Sequence, residues 1–412
     1  MRIIYNIGIH IYDFLIFIYS FFNEKASLLY KGRKGWYEKL KQCVVPDEKY
    51  FWTHCASLGE FEQGRPVIES FKKRHPDYKI IVTFFSPSGY EIRKNYKEAD
   101  IVCYLPSDTP RNAKLFVDVV KPSVAVIVKY EIWCNILNAV ADSGTPLYLI
   151  SGIFRPQQRF FKWYGDVFRK TLRKFDTFFV QDEQSKQLLK SIGIEKVLVT
   201  GDTRFDRVMQ IADAAKDIPQ ILSFKGDEKL FLCGSSWHGD ETIIKQYINK
   251  NPNKMKWIFA PHEIDKANVD RLASLFTTSV ARFSTFTEDD IEKRVLIIDN
   301  IGMLSSAYRY ADIAAVGGGF GKGIHNILEA ACWNIPVLFG PNHEKFKEAV
   351  DMLRIGGAKC YSNYDDFEAA MDSWLSDEAL WQKAANEAGK YVKNSSGATQ
   401  KIIDVIEKNL NV

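Results

Sequence analysis

Two series of short apolar runs, separated by segments of helical length, constrain this chain more than any other feature. In the first half the runs are Tyr50–Cys55, Lys79–Phe84, Ile101–Tyr104, Val124–Val128, Leu147–Ser151, Thr177–Val180 and Val197–Thr200. In the second half they are Leu230–Cys233, Lys256–Ala260, Val295–Asp299, Ile313–Val316 and Pro336–Phe339. Runs that are apolar throughout, with no polar alternation, mark strands buried on both faces, as parallel sheets require. The pattern occurs twice, which predicts an α/β chain of two Rossmann-like doubly wound domains facing a cleft. A length of 412 residues agrees with two or three domains of roughly 150 residues each.

The break between the series falls in the mixed stretch 206–227, where Asp217-Ile218-Pro219 and Lys225-Gly226-Asp227 read as turn punctuation. The expected division is an amino-terminal segment 1–45, a domain 46–206, a linker 207–227 and a domain 228–412. Ligands of doubly wound sheets bind beyond the carboxyl ends of the strands, so residues just after each run are the first candidates for chemistry.

Composition removes several classes. Hydrophobic residues at 46% and charged residues at 26% exclude a disordered chain. A net charge of +4 is too slight to point to nucleic acid. The seven cysteines contain no C-x-x-C pair and do not form a disulfide framework, which suits a reducing compartment. The histidines lack zinc-binding spacing, so no metal is expected.

Aromatic residues reach 14%, and they cluster at the amino terminus. Of the 20 residues Ile3 to Phe22, 15 are apolar or aromatic. Twenty residues at 1.5 Å each could cross a hydrocarbon core of ~30 Å. His10 and Asp13 sit near the middle, where a charge costs about 2.5–3.5 kcal/mol. A helix lying in the membrane interface would let both face water. Lys25, Lys31, Arg33, Lys34, Lys39 and Lys41 follow the stretch, which by the positive-inside rule keeps the bulk of the protein cytoplasmic. No small-residue cleavage site follows Phe22, so a signal peptide fits poorly. The first buried helix of a soluble domain is the competing reading.

Two motifs stand out. In Ala56-Ser57-Leu58-Gly59-Glu60 a strand gives way to a helix. Ser57 and Glu60 have the spacing of a capping box, which spacing alone favours, and a carboxylate at the same place could also serve as a general base. In Val316-Gly317-Gly318-Gly319-Phe320-Gly321-Lys322-Gly323-Ile324-His325-Asn326-Ile327-Leu328-Glu329, five glycines fall within seven positions. The register is neither G-x-G-x-x-G nor the P-loop. A strand, a glycine loop and a helix nevertheless turn backbone N–H groups towards an anion, and Glu329 could accept from a ribose diol. Glu131, Arg204 and His262 follow other predicted strands and map to the same edge of the sheets.

Taken in order, these pieces resemble the 3-deoxy-D-manno-octulosonic acid (Kdo) transferases of lipopolysaccharide synthesis. The matching stretches include Ala56–Glu60, Leu105-Pro106-Ser107-Asp108-Thr109-Pro110, Glu131-Ile132-Trp133-Cys134-Asn135, Gly201-Asp202-Thr203-Arg204-Phe205-Asp206, Gly317-Gly318 through Glu329, and Pro336–Pro341. The resemblance implies a GT-B type glycosyltransferase that moves Kdo from CMP-Kdo to a lipid A precursor (lipid IVA), with inversion and without metal or other cofactor. On that basis 46–206 is the acceptor-side domain and 228–412 the nucleotide-sugar domain. Glu60 is implied as general base. Gly317, Gly318, Gly319, Gly321, Gly323, Asn326, Glu329 and His262 are implied at the donor, and Ser57, Gly59, Glu131 and Arg204 with the acceptor or the transition state. The implied place is the cytoplasmic face of the inner membrane. Where the family usually has Asn and Lys, this chain has Asp202 and Arg204, and Pro261 stands where an Arg is common. A GT-B enzyme of envelope synthesis using a UDP-sugar, or a non-catalytic membrane-attached nucleotide-binding protein, are the alternatives.

Overall fold

The computed structural model describes residues 2–410, which form two compact units, 2–207 with 396–410 and 208–395. The first unit is built on seven strands: β1 (Lys49–Cys55), β2 (Tyr78–Phe84), β3 (Ile101–Tyr104), β4 (Pro122–Val128), β5 (Leu147–Gly152), β6 (Thr177–Val180) and β7 (Val197–Val199). They lie in the order β3-β2-β1-β4-β5-β6-β7, and every pairing is parallel. The second unit contains β8 (Leu230–Ser236), β9 (Lys256–Pro261), β10 (Val280–Arg282), β11 (Val295–Ile297), β12 (Ile313–Val316), β13 (Val337–Phe339) and β14 (Ala358–Cys360). Its order is β10-β11-β9-β8-β12-β13-β14, again parallel throughout.

All the predicted runs are strands, and most are buried on both faces: β4 from Val124 to Val128 and β12 along its whole length have no exposed residue, whereas Leu198 and Val199 of the edge strand β7 are exposed. The sequence reading missed β10 and β14. Each is three residues long and contains a charged residue, Arg282 in Val280–Arg282 and Lys359 in Ala358–Cys360, so neither leaves an apolar run.

Two boundaries differ from the sequence expectation. The stretch 207–227 is not a linker, since it holds the end of the helix Thr203–Asp213 and the helix Pro219–Lys225. Pro219 opens the second helix and Gly226 caps it with a positive φ, so the punctuation marks helix ends. Ile221 and Phe224 are fully buried in the second unit. The last helix, Ala398–Leu410, belongs to the first unit and not to the domain 228–412. Its Ile402, Ile403 and Ile406 join Phe51, Phe71 and Val124 in one core cluster. Asp206, from the stretch Gly201–Asp206, accepts from the Thr399 backbone N–H at 2.7 Å and from its hydroxyl at 2.6 Å, and so caps that helix.

The amino-terminal stretch is the helix α1 (Arg2–Tyr19). One face is tied to the first unit. The Tyr5 hydroxyl donates to Asp108 at 2.5 Å, Asn135 donates to Asn6 at 2.8 Å, and the Ser107 hydroxyl donates to Asp13 at 2.6 Å. The other face is open: Ile4, Ile7, Ile11, Phe14 and Leu15 are each more than half exposed. His10 faces solvent as expected, but Asp13 faces the protein. Of the basic flank, Arg33 also turns inward, where its Nε donates to the Leu105 carbonyl at 2.9 Å. The lysines 25, 31, 34, 39 and 41 stay exposed.

Candidate functional site

Each sheet has a switch point where connections leave in opposite directions, and there a crevice opens at the carboxyl ends of the strands. In the first sheet it lies between β1 and β4, and in the second between β8 and β12. Both principal motifs follow one of these strands.

In the first unit, β1 delivers Glu60 and β4 delivers Glu131. Ser57 is the N-cap residue of the helix Leu58–Arg74, but its side chain makes no capping bond. The Glu60 carboxylate reaches back to the Ala56 N–H at 2.6 Å, one residue before the cap, so the reciprocal capping box does not form. Burial raises the Glu60 carboxyl above the usual carboxylate range, against the pull of the Ala56 N–H and the Lys129 charge. The Glu131 carboxyl is pushed up to about 7, first by burial and then by the Glu60 charge. Lys129, whose charge draws both carboxyls downward, has a φ of +60°, an uncommon conformation for a residue with a side chain. Two carboxyls and a cation thus share the β1–β4 crevice. Gly59 is exposed beside them, and a Cβ there would meet nothing within 4 Å, so the position does not require glycine for space.

Arg204 pairs with Asp202: its Nε donates to Asp202 Oδ2 at 2.8 Å and its backbone N–H to Oδ1 at 2.9 Å. The two departures from the family's residues are therefore partners, an added carboxylate taken up by an added fork. Gln63, on the helix that carries Glu60, donates to both oxygens of the same buried Asp202 at 3.0 Å. Asp108 is structural. It accepts from the N–H groups of Asn135 at 3.0 Å and Ile136 at 2.7 Å, where the helix Cys134–Asp142 begins, and burial pushes it up to about 6.

In the second unit the glycine loop follows β12. Gly317 and Gly319 are needed for space. A Cβ on Gly317 would lie 2.2 Å from the Ser235 carbonyl oxygen, and one on Gly319 2.5 Å from the Gly340 Cα. Gly318 has a φ of +94°. Several N–H groups bond inside the protein: Gly317 to Gly234, Gly318 to the Asp240 carboxylate at 3.1 Å, and Gly321 and Gly323 to Gly318. The helix beyond is a single turn, Leu328–Ala331. Asn326 accepts the Leu328 N–H at 3.3 Å and donates to Glu329 at 3.1 Å, and the Ser305 hydroxyl donates to the other oxygen of Glu329.

His262 follows β9, and its ring stacks on Trp237 at 4.5 Å and on His325 at 4.6 Å. The Trp237 indole N–H donates to His325 Nε2 at 3.0 Å, which fixes that nitrogen as an acceptor. Burial, and then the His262 charge, hold the His325 imidazole below its ordinary value. Trp237 and Asp240 were not singled out in the sequence, and His325 entered only as part of the glycine motif. The available signal was Gly234-Ser235-Ser236-Trp237-His238-Gly239, another strand end entering a helix.

Two doubly wound parallel sheets, each with polar and titratable groups at its switch point, define a two-unit protein of the GT-B type. The same architecture occurs in UDP-GlcNAc 2-epimerase from Neisseria meningitidis, with a TM-score of 0.62 at 18% identity, over 87% of this chain and all of that one. Residues 30–207 match the family model described as 3-deoxy-D-manno-octulosonic-acid transferase (kdotransferase). The 3-deoxy-D-manno-octulosonic acid transferase of Aquifex aeolicus (strain VF5) is 29% identical over 78% of this chain and 83% of its own length. That of Haemophilus influenzae is 24% identical over 89% of this chain and 88% of its own. The amino-terminal half thus matches the Kdo transferase family model, and most of the chain is similar, at modest identity, to named Kdo transferases, which are glycosyltransferases.

Proposed function

We propose that this protein transfers Kdo from CMP-Kdo to a lipid A precursor, with inversion, Glu60 acting as general base. The observation that carries the reading is the buried Glu60 carboxylate at the β1–β4 switch point, raised towards neutral pH in a chain whose amino-terminal half matches the Kdo transferase family model. A base works best when its pKa approaches the working pH, and burial moves Glu60 in that direction. It would take the proton of the acceptor hydroxyl as the Kdo centre becomes oxocarbenium-like and the phosphate departs from the opposite face. Glu131, held closer to neutrality, would remain partly protonated beside Glu60 and donate a hydrogen bond to the acceptor. Arg204, held by Asp202, is assigned to the acceptor side.

The donor side is assigned to the second unit. Glu329, oriented by Asn326 and Ser305, suits a ribose diol, and the Trp237–His262–His325 stack offers aromatic faces and ring nitrogens to the nucleotide. Preorganised donors and cations would take up the charge gathering on the leaving CMP, so the reading calls for no metal or other cofactor.

The protein is assigned to the cytoplasmic face of the inner membrane, with α1 lying in the surface. Supporting this, α1 is bonded to the globular unit from Tyr5 to Asp13 while its opposite face exposes isoleucines and Phe14, and exposed lysines follow it. Such a helix binds anionic lipid through apolar insertion and about 1 kcal/mol per nearby lysine.

The test is nucleotide release from purified protein given a lipid A precursor and either CMP-Kdo or UDP-sugars. CMP release with a Kdo-sized gain in acceptor mass is expected. UDP release without CMP-Kdo turnover overturns the reading.

A further inference from the structure

The nucleotide assigned to the second unit carries a phosphate, and the glycine loop is poorly equipped to meet it. The N–H groups of Gly317, Gly318, Gly321 and Gly323 bond inside the protein. Lys322, the loop's cation, is exposed and makes no ion pair among the described residues, so nothing orients its ammonium.

A more closely bonded set of groups lies at the end of β8. Glu241, in the first turn of the helix His238–Lys250, is fully buried. One of its carboxylate oxygens accepts from the Ser236 hydroxyl at 2.9 Å and the other from Arg271 Nη2 at 2.5 Å. Arg271 lies on the helix Lys266–Ala273, which follows β9, and Asn268 of that helix accepts from its Nε at 3.1 Å and its Nη2 at 2.8 Å. The Arg271 side chain is 34% exposed, whereas Glu241 is sealed beneath it. The pair is therefore a dipole with its negative end inside and its cationic end at the surface. A buried carboxylate without a partner is strongly unfavourable, so Glu241 keeps the guanidinium in place.

Arg271 Nη1 donates to His238 Nδ1 at 3.3 Å. A guanidinium has no acceptor, so Nδ1 accepts and the neutral ring carries its proton on Nε2. All but one of the Arg271 N–H donors are then engaged, and the last is on Nη1, beside His238. Trp237, the preceding residue, stacks on His262, whose backbone N–H donates to the Ser236 carbonyl at 3.0 Å. The remaining Arg271 N–H, the His238 N–H and the aromatic stack thus share the carboxyl ends of β8 and β9.

We infer that Arg271 and His238 together bind the phosphate of the donor nucleotide, one N–H from each, and that the buried Glu241 is the residue that positions them. This rests on the donor side of the function proposed above. Donors fixed before the substrate arrives need no reorganisation as charge gathers on the leaving phosphate. A hydrogen bond from a guanidinium to phosphate is also among the stronger kinds.

The experiment is calorimetric titration of the full chain with CMP, cytidine, UMP and uridine. In the wild type the phosphate is expected to raise affinity about tenfold or more, CMP over cytidine. The double variant Arg271→Gln, Glu241→Gln removes the guanidinium without leaving a buried carboxylate unpaired. It should abolish most of that gain while cytidine binds as before, and His238→Ala should lower the gain by itself. Glu241→Gln alone keeps Arg271 but loosens its hold, so the gain should fall partway; a purely structural pair would move the melting temperature and leave the gain untouched. A CMP-to-cytidine ratio equal to wild type in both the double variant and His238→Ala overturns the inference. A gain lost in Lys322→Gln and kept in the double variant also overturns it, and assigns the phosphate to the loop. A wild type that binds nucleotide no better than nucleoside does the same. A protein that prefers UMP to CMP loses the proposed CMP donor, and the gain read with UMP and uridine then tests Arg271 and His238.

Discussion

Replacing Glu131 by Gln isolates the cost of burying a carboxylate at the β1–β4 crevice. The folded protein holds the Glu131 proton up to about pH 7, whereas an ordinary glutamate releases it near 4.5. Between those values the folded state binds more protons than the unfolded chain, so stability falls as pH rises, and above about 7 the full penalty is present. At about 1.36 kcal/mol per pH unit the gap corresponds to about 3 kcal/mol, and residual solvent at the crevice trims this to about 2–3 kcal/mol. Glutamine has no such titration. The variant should therefore gain about 2–3 kcal/mol relative to wild type on going from pH 5 to pH 8. Urea unfolding of both proteins at the two pH values measures it, with hydrogen exchange in β4 assigning the change to the first unit. A wild-type-to-variant difference that stays constant within about 0.5 kcal/mol between the two pH values would refute the desolvation argument.

Glu60→Gln retains an acceptor for the Ala56 N–H but removes the base, so kcat should fall by about 10²–10⁴ with little change in melting temperature; unchanged turnover makes Glu60 a structural residue. Gly319→Ala forces a Cβ onto the Gly340 backbone and should destabilise the second unit by about 1–3 kcal/mol, while Gly59→Ala, which meets open space, should change stability by less than about 0.5 kcal/mol. Ile7→Ser, Ile11→Ser and Phe14→Ser together should lower binding to anionic vesicles at least tenfold and leave the thermal melt of these exposed positions unmoved. Vesicle binding equal to wild type would remove α1 from the membrane contact.

The sequence by itself determined the two sheets. Strands buried on both faces must be apolar throughout, and that is visible residue by residue, as in Val124–Val128 and Ile313–Val316. It also placed Glu60, Glu131 and the glycine loop at strand ends, which the topology turned into switch points. The sequence did not reveal where Ala398–Leu410 packs, because an amphipathic helix carries its apolar stripe but not the address of the sheet it covers. The uses of the residues were equally hidden. Five glycines suggested N–H groups for an anion, yet most of those groups bond inside the protein, and Gly317 and Gly319 answer to the backbones of Ser235 and Gly340. Trp237 and His325 are 88 positions apart and meet only through the fold. The amino-terminal stretch was apolar enough to cross a membrane, and only tertiary structure turned Tyr5, Asn6 and Asp13 inward while leaving the isoleucines outside. Local patterns record what each segment must bury. Which partner meets it, and which polar groups are consumed in the meeting, is set by contacts between residues far apart in the chain.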